Sequence, residues 1–78
     1  MEETRQKVEE ILERLVPGVD VEGTPDLVKG GVIDSMVSIM LVNELEDAFD
    51  IEVTPLDMVP ENFSSVQAIA DFVDGQLA

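Results

Sequence analysis

The sequence predicts an all-α fold: a small four-helix bundle with three main helices and a short third helix. Apolar residues recur at the three- and four-residue spacing of amphipathic helices in three separate segments. Proline and glycine separate these segments, and no stretch alternates apolar and polar residues convincingly enough for a strand. With 78 residues the chain has room for one small core, so we expect a single domain over residues 1–78.

The first helix is predicted from about Glu3 to Val16, because its apolar residues follow the i, i+3, i+4, i+7 pattern with charges between them. Pro17-Gly18 should end this helix, since both residues interrupt helical structure. A polar loop then runs to about Gly31. We expect its two apolar residues, Leu27 and Val28, to anchor the loop to the core.

The second helix is predicted to begin at Asp34 or Ser35, since either side chain can accept a hydrogen bond from the free amides of a first helical turn. It should end near Phe49. At about 100° per residue, the expected core face holds Ser38, Leu41, Val42, Leu45, Ala48 and Phe49. The opposite, exposed face carries Met36, Val37, Met40, Asn43, Glu44 and Asp47. An apolar surface is therefore expected directly beside the serine.

The third and fourth helices are predicted from their start signals. Thr54-Pro55-Leu56-Asp57 combines a cap, a proline for the first helical position and an acid in the first turn, and Pro60 should end that helix after one turn. The last helix should start at Ser64, because Ser64-Ser65-Val66-Gln67 matches a capping box. Gly75 is expected to fray or end it. The large core residues should be Phe49, Phe63 and Phe72.

Charge limits the possible partners, since 18 acids against four bases give a net charge of −14. All four bases precede Gly30, and ten acids with no base follow. This later part should repel nucleic acids and anionic membranes and attract basic surfaces. No apolar run approaches the ~20 residues that cross a bilayer, and the acidic start lacks the features of a secretory signal. We expect a soluble cytoplasmic protein that works as a monomer.

The absence of two residue types excludes several chemistries. Without Cys or His the chain has no disulfide, no zinc site of the usual ligands, no thiol nucleophile and no imidazole base. A Ser-His-Asp triad is excluded for the same reason. The acidic segment Asp20-Val21-Glu22-Gly23 lacks the ligand spacing of a calcium-binding EF-hand loop. Catalysis and metal binding are therefore not predicted.

Ser35 has two interpretations. It is a helix cap, worth about 1 kcal/mol, or it carries a group that another protein attaches. The second is favoured because Asp34 can cap in its place and Gly30-Gly31 can bring the turn close to a partner. A phosphate attached there would lie at the positive end of the helix, where free amides favour an anion.

The stretch Gly31-Val32-Ile33-Asp34-Ser35-Met36, the helix ending Leu45-Glu46-Asp47-Ala48-Phe49-Asp50 and the segment from Pro60 to Ile69 resemble the acyl carrier and peptidyl carrier proteins. The first helix fits as well, so the resemblance covers nearly the whole chain. It implies an acyl-carrier-protein-like bundle in which Ser35 carries 4′-phosphopantetheine, attached from coenzyme A by a phosphopantetheinyl transferase that uses Mg²⁺, with Asp34 as the flanking motif residue.

The resemblance also implies that acyl or aminoacyl groups travel on this arm as thioesters. A loading ligase would attach them, and downstream synthases or transferases with basic patches would receive them. The carrier itself would catalyse nothing.

Two departures bear on partners and cargo. Housekeeping fatty-acid carriers usually have Leu, then Asp, after the serine, with a further acid along the same face, and here these positions are Met36, Val37 and Met40. We expect hydrophobic recognition near Ser35, with Glu44 and Asp47 as a later electrostatic clamp. Methionine after the serine resembles some D-alanine carriers of teichoic acid modification, and the segment after Pro60 resembles stand-alone carriers of polyketide, nonribosomal peptide or other specialised pathways.

Three alternatives stay open. The chain is a dedicated carrier of a specialised pathway, which we favour, or a D-alanyl carrier, or a housekeeping fatty-acid carrier. A small acidic helical adaptor without any prosthetic group is the rival from another class.

Overall fold

Three helices of 12 to 15 residues and two short helical turns make up the computed structural model, which describes residues 2–78. Within that range no residue lies in a β-strand, and the all-α prediction is confirmed. The elements are α1 Glu2–Leu15, α2 Ser35–Phe49, a 3₁₀ turn Pro55–Asp57, α3 Pro60–Phe63 and α4 Val66–Leu77.

The core forms where α1 packs against α2 and α4, and α4 also packs against α3. Aliphatic side chains of all three long helices are fully buried in it, and the fully buried residues of largest volume are Leu12, Leu27, Leu41, Leu45, Ile69, Val8 and Val73. Phe63 is buried, whereas Phe49 and Phe72 are half-buried against the same cluster. The Phe63 and Phe72 rings lie 5.8 Å apart between centroids. The three aromatic residues therefore belong to the core, two of them at its edge.

The long loop between α1 and α2 is anchored by contacts with α1 and with the segment before α4. Leu27 is fully buried, as predicted, and its amide donates to the Ser64 carbonyl at 2.7 Å. Near the middle of the loop, Glu22 accepts a hydrogen bond from Arg5 at 2.8 Å. Arg5 also contacts Gln67 of α4 at 3.1 Å. These contacts fix the loop that leads into α2.

The third helix differs from the prediction. The predicted single turn after Thr54 is present as the 3₁₀ turn, but Pro60, which was expected only to end that turn, begins the separate helix α3. Asp57 accepts hydrogen bonds from both the amide and the hydroxyl of Thr54, each at 3.0 Å, which closes the first turn. Proline lacks only an amide that a first helical residue does not use, so Pro60 begins a helix here.

The ends of α4 also differ from the prediction. Ser65, not Ser64, is the cap, and its hydroxyl accepts from the Ala68 amide at 3.0 Å. The capping box is therefore wrong by one position, and Gln67 contacts Arg5 and Asp71 instead. The expected end at Gly75 is wrong as well, because α4 continues to Leu77. A glycine weakens a helix interior by ~1 kcal/mol without having to end it.

Candidate functional site

Asp34 is the residue that caps α2. Its backbone is extended, and its carboxylate accepts a hydrogen bond from the Val37 amide at 2.9 Å. Its carbonyl accepts from the Ser38 amide, also at 2.9 Å. Of the two capping candidates in the sequence, the structure selects the aspartate.

Ser35 is thereby released from capping. It is the first residue of α2 and is exposed, and nothing in residues 2–78 hydrogen-bonds to its hydroxyl. The neighbouring hydroxyl of Ser38 is occupied, since it donates to the Ser35 carbonyl at 2.8 Å. The amides of Ser35 and Met36 precede the first internal bonds of the helix, so an anion on Ser35 would be favoured there. Ser35 presents a free hydroxyl at the positive end of a four-turn helix.

Two glycines shape the turn before α2. Gly31 has φ of +80°, a conformation that side-chain-bearing residues adopt only at a cost. At Gly30 a Cβ atom would lie 2.8 Å from the Asp26 carbonyl oxygen, so a side chain would collide with the backbone. The Asp26 carboxylate accepts from the amides of Val28 and Lys29 in the same turn, at 3.0 and 2.8 Å. The glycine pair is therefore required to build the turn itself.

A groove of about 370 Å³ opens beside the serine. It is lined by Ser35 and Ser38 of α2 and by Met58, Val59 and Pro60. Asp34, Val28 and the buried side chains of Ile33 and Phe63 complete the lining. Ser38, predicted to lie in the core, is half-buried and lines this groove. The groove places hydroxyl and carboxylate groups next to an apolar wall.

The core face of α2 is partly as predicted. Leu41, Val42 and Leu45 are buried. Ala48, however, is exposed, so its assignment to the core face is wrong. This position lines an open pocket together with residues of α1 and α4. On the predicted face, only the stretch from Leu41 to Leu45, little more than one helical turn, holds buried residues.

The exposed apolar face of α2 is confirmed in part. Met36 is 70% exposed and Met40 38% exposed. Val37 was predicted to lie on this face, but it is half-buried and packs against the core. Ile39, which the sequence analysis did not single out, is 59% exposed. Its position three residues after Met36 was the signal that could have identified it. The exposed apolar surface of α2 is thus Met36, Ile39 and Met40.

The two acids predicted to act beside that surface differ in environment. Asp47 is exposed. Glu44 forms an ion pair with Arg14 of α1, with 2.8 Å between the Glu44 carboxylate and the Arg14 guanidinium. The sequence pattern could not predict this contact, because the two residues are 30 positions apart.

Comparison with known proteins agrees with this geometry. The family described as "Phosphopantetheine attachment site" matches residues 2–73. The chain belongs to this family. Phosphopantetheine carriers hold 4′-phosphopantetheine covalently, and the free Ser35 hydroxyl with an adjoining groove fits such an arm. The chain is therefore a carrier protein with phosphopantetheine attachment.

The carrier also resembles curated relatives. Over 45 residues it is 47% identical to proteins named D-alanyl carrier protein from Lactococcus lactis subsp. cremoris strains MG1363 and SK11 and from Lactococcus lactis subsp. lactis strain IL1403. The matched stretch is 58% of this carrier and 57% of each relative, so it spans little more than half of their length. Across the described part of this carrier, no helix is both long and apolar enough to span a membrane.

Proposed function

We propose that Ser35 carries the 4′-phosphopantetheine arm and that the chain transports acyl or aminoacyl groups on it between partner enzymes. One observation carries this proposal: Asp34 caps α2, which leaves the exposed Ser35 hydroxyl without a structural partner among residues 2–78. The arm supplies a thiol, which a chain without cysteine otherwise lacks.

The chain itself performs no catalysis in this proposal. The lining of the groove offers the Asp34 carboxylate as its one ionisable side chain, and that carboxylate is engaged with the Val37 amide. A hydroxyl without a positioned base remains a weak nucleophile. A separate transferase must therefore activate Ser35 and supply the arm from coenzyme A. The role of this chain is to present the hydroxyl at a fixed helix start.

The favoured cargo is an aminoacyl group, with D-alanine as the first candidate. The name of the relatives supports D-alanine, and so does Met36 directly after Ser35. The groove points the same way, since it is open, holds about 370 Å³ and presents the hydroxyl oxygen of Ser38 once Ser35 carries the arm. A long alkyl chain would gain more from an apolar interior, which Leu41, Leu45 and Ile69 already fill. A dedicated acyl carrier of a specialised pathway is the second candidate, favoured by the apolar wall of the groove.

Partners are proposed to dock on the apolar surface of α2, with Asp47 and Glu44 beyond it. Met36, Ile39 and Met40 lie on one side of the helix within reach of an enzyme acting at Ser35. Flexible, exposed apolar side chains suit a hydrophobic contact. Met40→Glu should weaken binding of the loading ligase, whereas Leu77→Glu, at an exposed position beside the opposite end of α2, serves as the matched control.

Intact mass tests the attachment directly. The chain is incubated with coenzyme A, Mg²⁺ and a broad-specificity phosphopantetheinyl transferase, and a gain of one phosphopantetheine mass is expected. Ser35→Ala should abolish the gain, and Ser38→Ala, which removes the neighbouring hydroxyl of the groove, should retain it. No gain on folded protein with several transferases would favour an acidic adaptor instead. Loading of the holo chain with D-alanine or with fatty acids then separates the cargo classes.

A further inference from the structure

Arg14 places a positive charge within the acidic part of the molecule. From Gly30 to Ala78 the sequence has ten acids and no base. Packing of α1 against α2 brings the Arg14 guanidinium to 2.8 Å from the Glu44 carboxylate. Glu44, one of the two acids of α2 that are proposed to contact partners, is thereby neutralised by a residue of the same chain.

The Arg14–Glu44 pair is too exposed to serve as a strong structural tie. The side chains are 65% and 37% exposed, and ion pairs of this kind contribute little because water and salt screen them. A pair that costs little to break is easily exchanged. The cation of a docking protein can take the place of Arg14 at Glu44 without unfolding any part of the chain.

Glu44 lies within the area that an enzyme acting at Ser35 would cover. Glu44 lies one turn after Met40 and about 12 Å along the helix from Met36, on the side of α2 that carries both methionines. A standard interface buries about 800 Å² on each partner, equivalent to a disc about 16 Å in radius. Asp47, one turn further on, continues the same row and is exposed. A partner that docks on Met36, Ile39 and Met40 beside Ser35 would therefore reach Glu44 with its basic surface.

We propose that Arg14 is an internal competitor for the basic surface of the enzymes that modify or load Ser35. Docking exchanges the intramolecular Arg14–Glu44 pair for an intermolecular pair between Glu44 and a lysine or arginine of the partner. Arg14 thereby weakens docking and favours release, which a carrier that visits several enzymes requires. This inference rests on the proposed function, because it assumes that a partner acts at Ser35.

The expected consequence is a change in binding without a change in chemistry. Arg14→Gln frees Glu44, so the KM of a phosphopantetheinyl transferase for the apo chain should fall about 2- to 5-fold, the range of an exposed ion pair. The kcat should stay unchanged, since no reacting atom is altered. The effect should fade as ionic strength rises, because screening weakens exposed charge pairs.

Lys7→Gln is the matched control. It removes the same unit of charge from α1, seven residues and about 10 Å before Arg14 along the helix. General attraction between a more acidic chain and a basic enzyme raises affinity equally in both variants. Only the release of Glu44 distinguishes them. Glu44→Gln and the Arg14→Gln/Glu44→Gln double variant complete a thermodynamic cycle, in which the gain from Arg14→Gln should disappear once Glu44 is also replaced.

The experiment measures holo formation by intact mass at varied concentrations of apo chain, with coenzyme A, Mg²⁺ and one transferase. A lower KM for Arg14→Gln than for Lys7→Gln, lost in the double variant, supports the inference. Equal KM values for the two single variants, or a raised KM for Arg14→Gln, overturn it while leaving Ser35 as the attachment site. No mass gain in the unsubstituted chain overturns the proposed function, and this inference with it.

Discussion

Replacing Asp34 tests whether this residue caps α2 while Ser35 serves as the attachment residue. The Asp34 carboxylate accepts one hydrogen bond from the Val37 amide at 2.9 Å, and alanine cannot replace it. Loss of such a cap costs ~1 kcal/mol, and loss of a negative charge at a helix N-terminus adds roughly 0.3–1 kcal/mol. We therefore expect Asp34→Ala to lower the free energy of unfolding by about 1 to 2 kcal/mol.

Urea denaturation followed by circular dichroism measures this loss. With an m-value of about 1 kcal/mol per molar urea for a small chain, the midpoint should fall by about 1 to 2 M. Ser35→Ala should leave the midpoint nearly unchanged, because its hydroxyl bonds to nothing in the described residues 2–78. The two variants are expected to behave in opposite ways in the modification assay, where Ser35→Ala is inactive and folded Asp34→Ala is still a substrate.

Asp34→Asn separates capping from charge. Asparagine caps about as well as aspartate, yet it changes the net charge by the same amount as alanine. A midpoint for Asp34→Asn that falls by only about 0.3–1 M, the part due to the charge, supports the cap. If Asp34→Asn lost as much stability as Asp34→Ala, or if Ser35→Ala lost as much as either, the assignment of the two roles would be refuted.

Three further predictions concern stability. Gly31→Ala should lower the free energy of unfolding by about 1 to 2 kcal/mol, because the φ of Gly31 is +80°. Gly75→Ala, in open space within α4, should raise it by about 0.5–1 kcal/mol. Chemical denaturation measures both changes, and changes of the same sign in the two variants would contradict this account. Arg5 holds the Glu9 and Glu22 carboxyls side by side; the neighbouring Glu22 raises the pKa of Glu9, and Glu9 and Arg5 lower the pKa of Glu22. A raised pKa means that protonated Glu9 stabilises the folded chain, and this stabilisation is lost as pH rises through the raised pKa. The melting temperature of Glu9→Gln should therefore lie above that of the unsubstituted chain at neutral pH and converge with it as pH falls below 4.5. A constant difference in melting temperature across the titration would count against a raised pKa of Glu9. Finally, a net charge of −14 predicts a melting temperature that rises with ionic strength, and a flat or falling response would mean that repulsion among the acids is weak.

Much of the site could be predicted from the sequence because the signals are local. The start of α2, the choice of Asp34 or Ser35 as cap and the apolar exposure of Met36 each depend on residues within one or two helical turns. The errors are of the same local kind. Two adjacent serines, Ser64 and Ser65, can both cap, and Ser64 follows directly on the end of α3, so Ser65 is the serine that caps α4.

The sequence by itself determined that the chain is helical, where its long helices lie, and that Ser35 stands at a helix start without cysteine or histidine to assist it. Periodicity and capping set these features, and both act between residues close in the chain. Only the tertiary structure decided that Met58, Val59 and Pro60 line the same groove as Ser35 and that Arg14 neutralises Glu44. Those contacts join residues 20 or more positions apart, and the packing of whole helices brings them together.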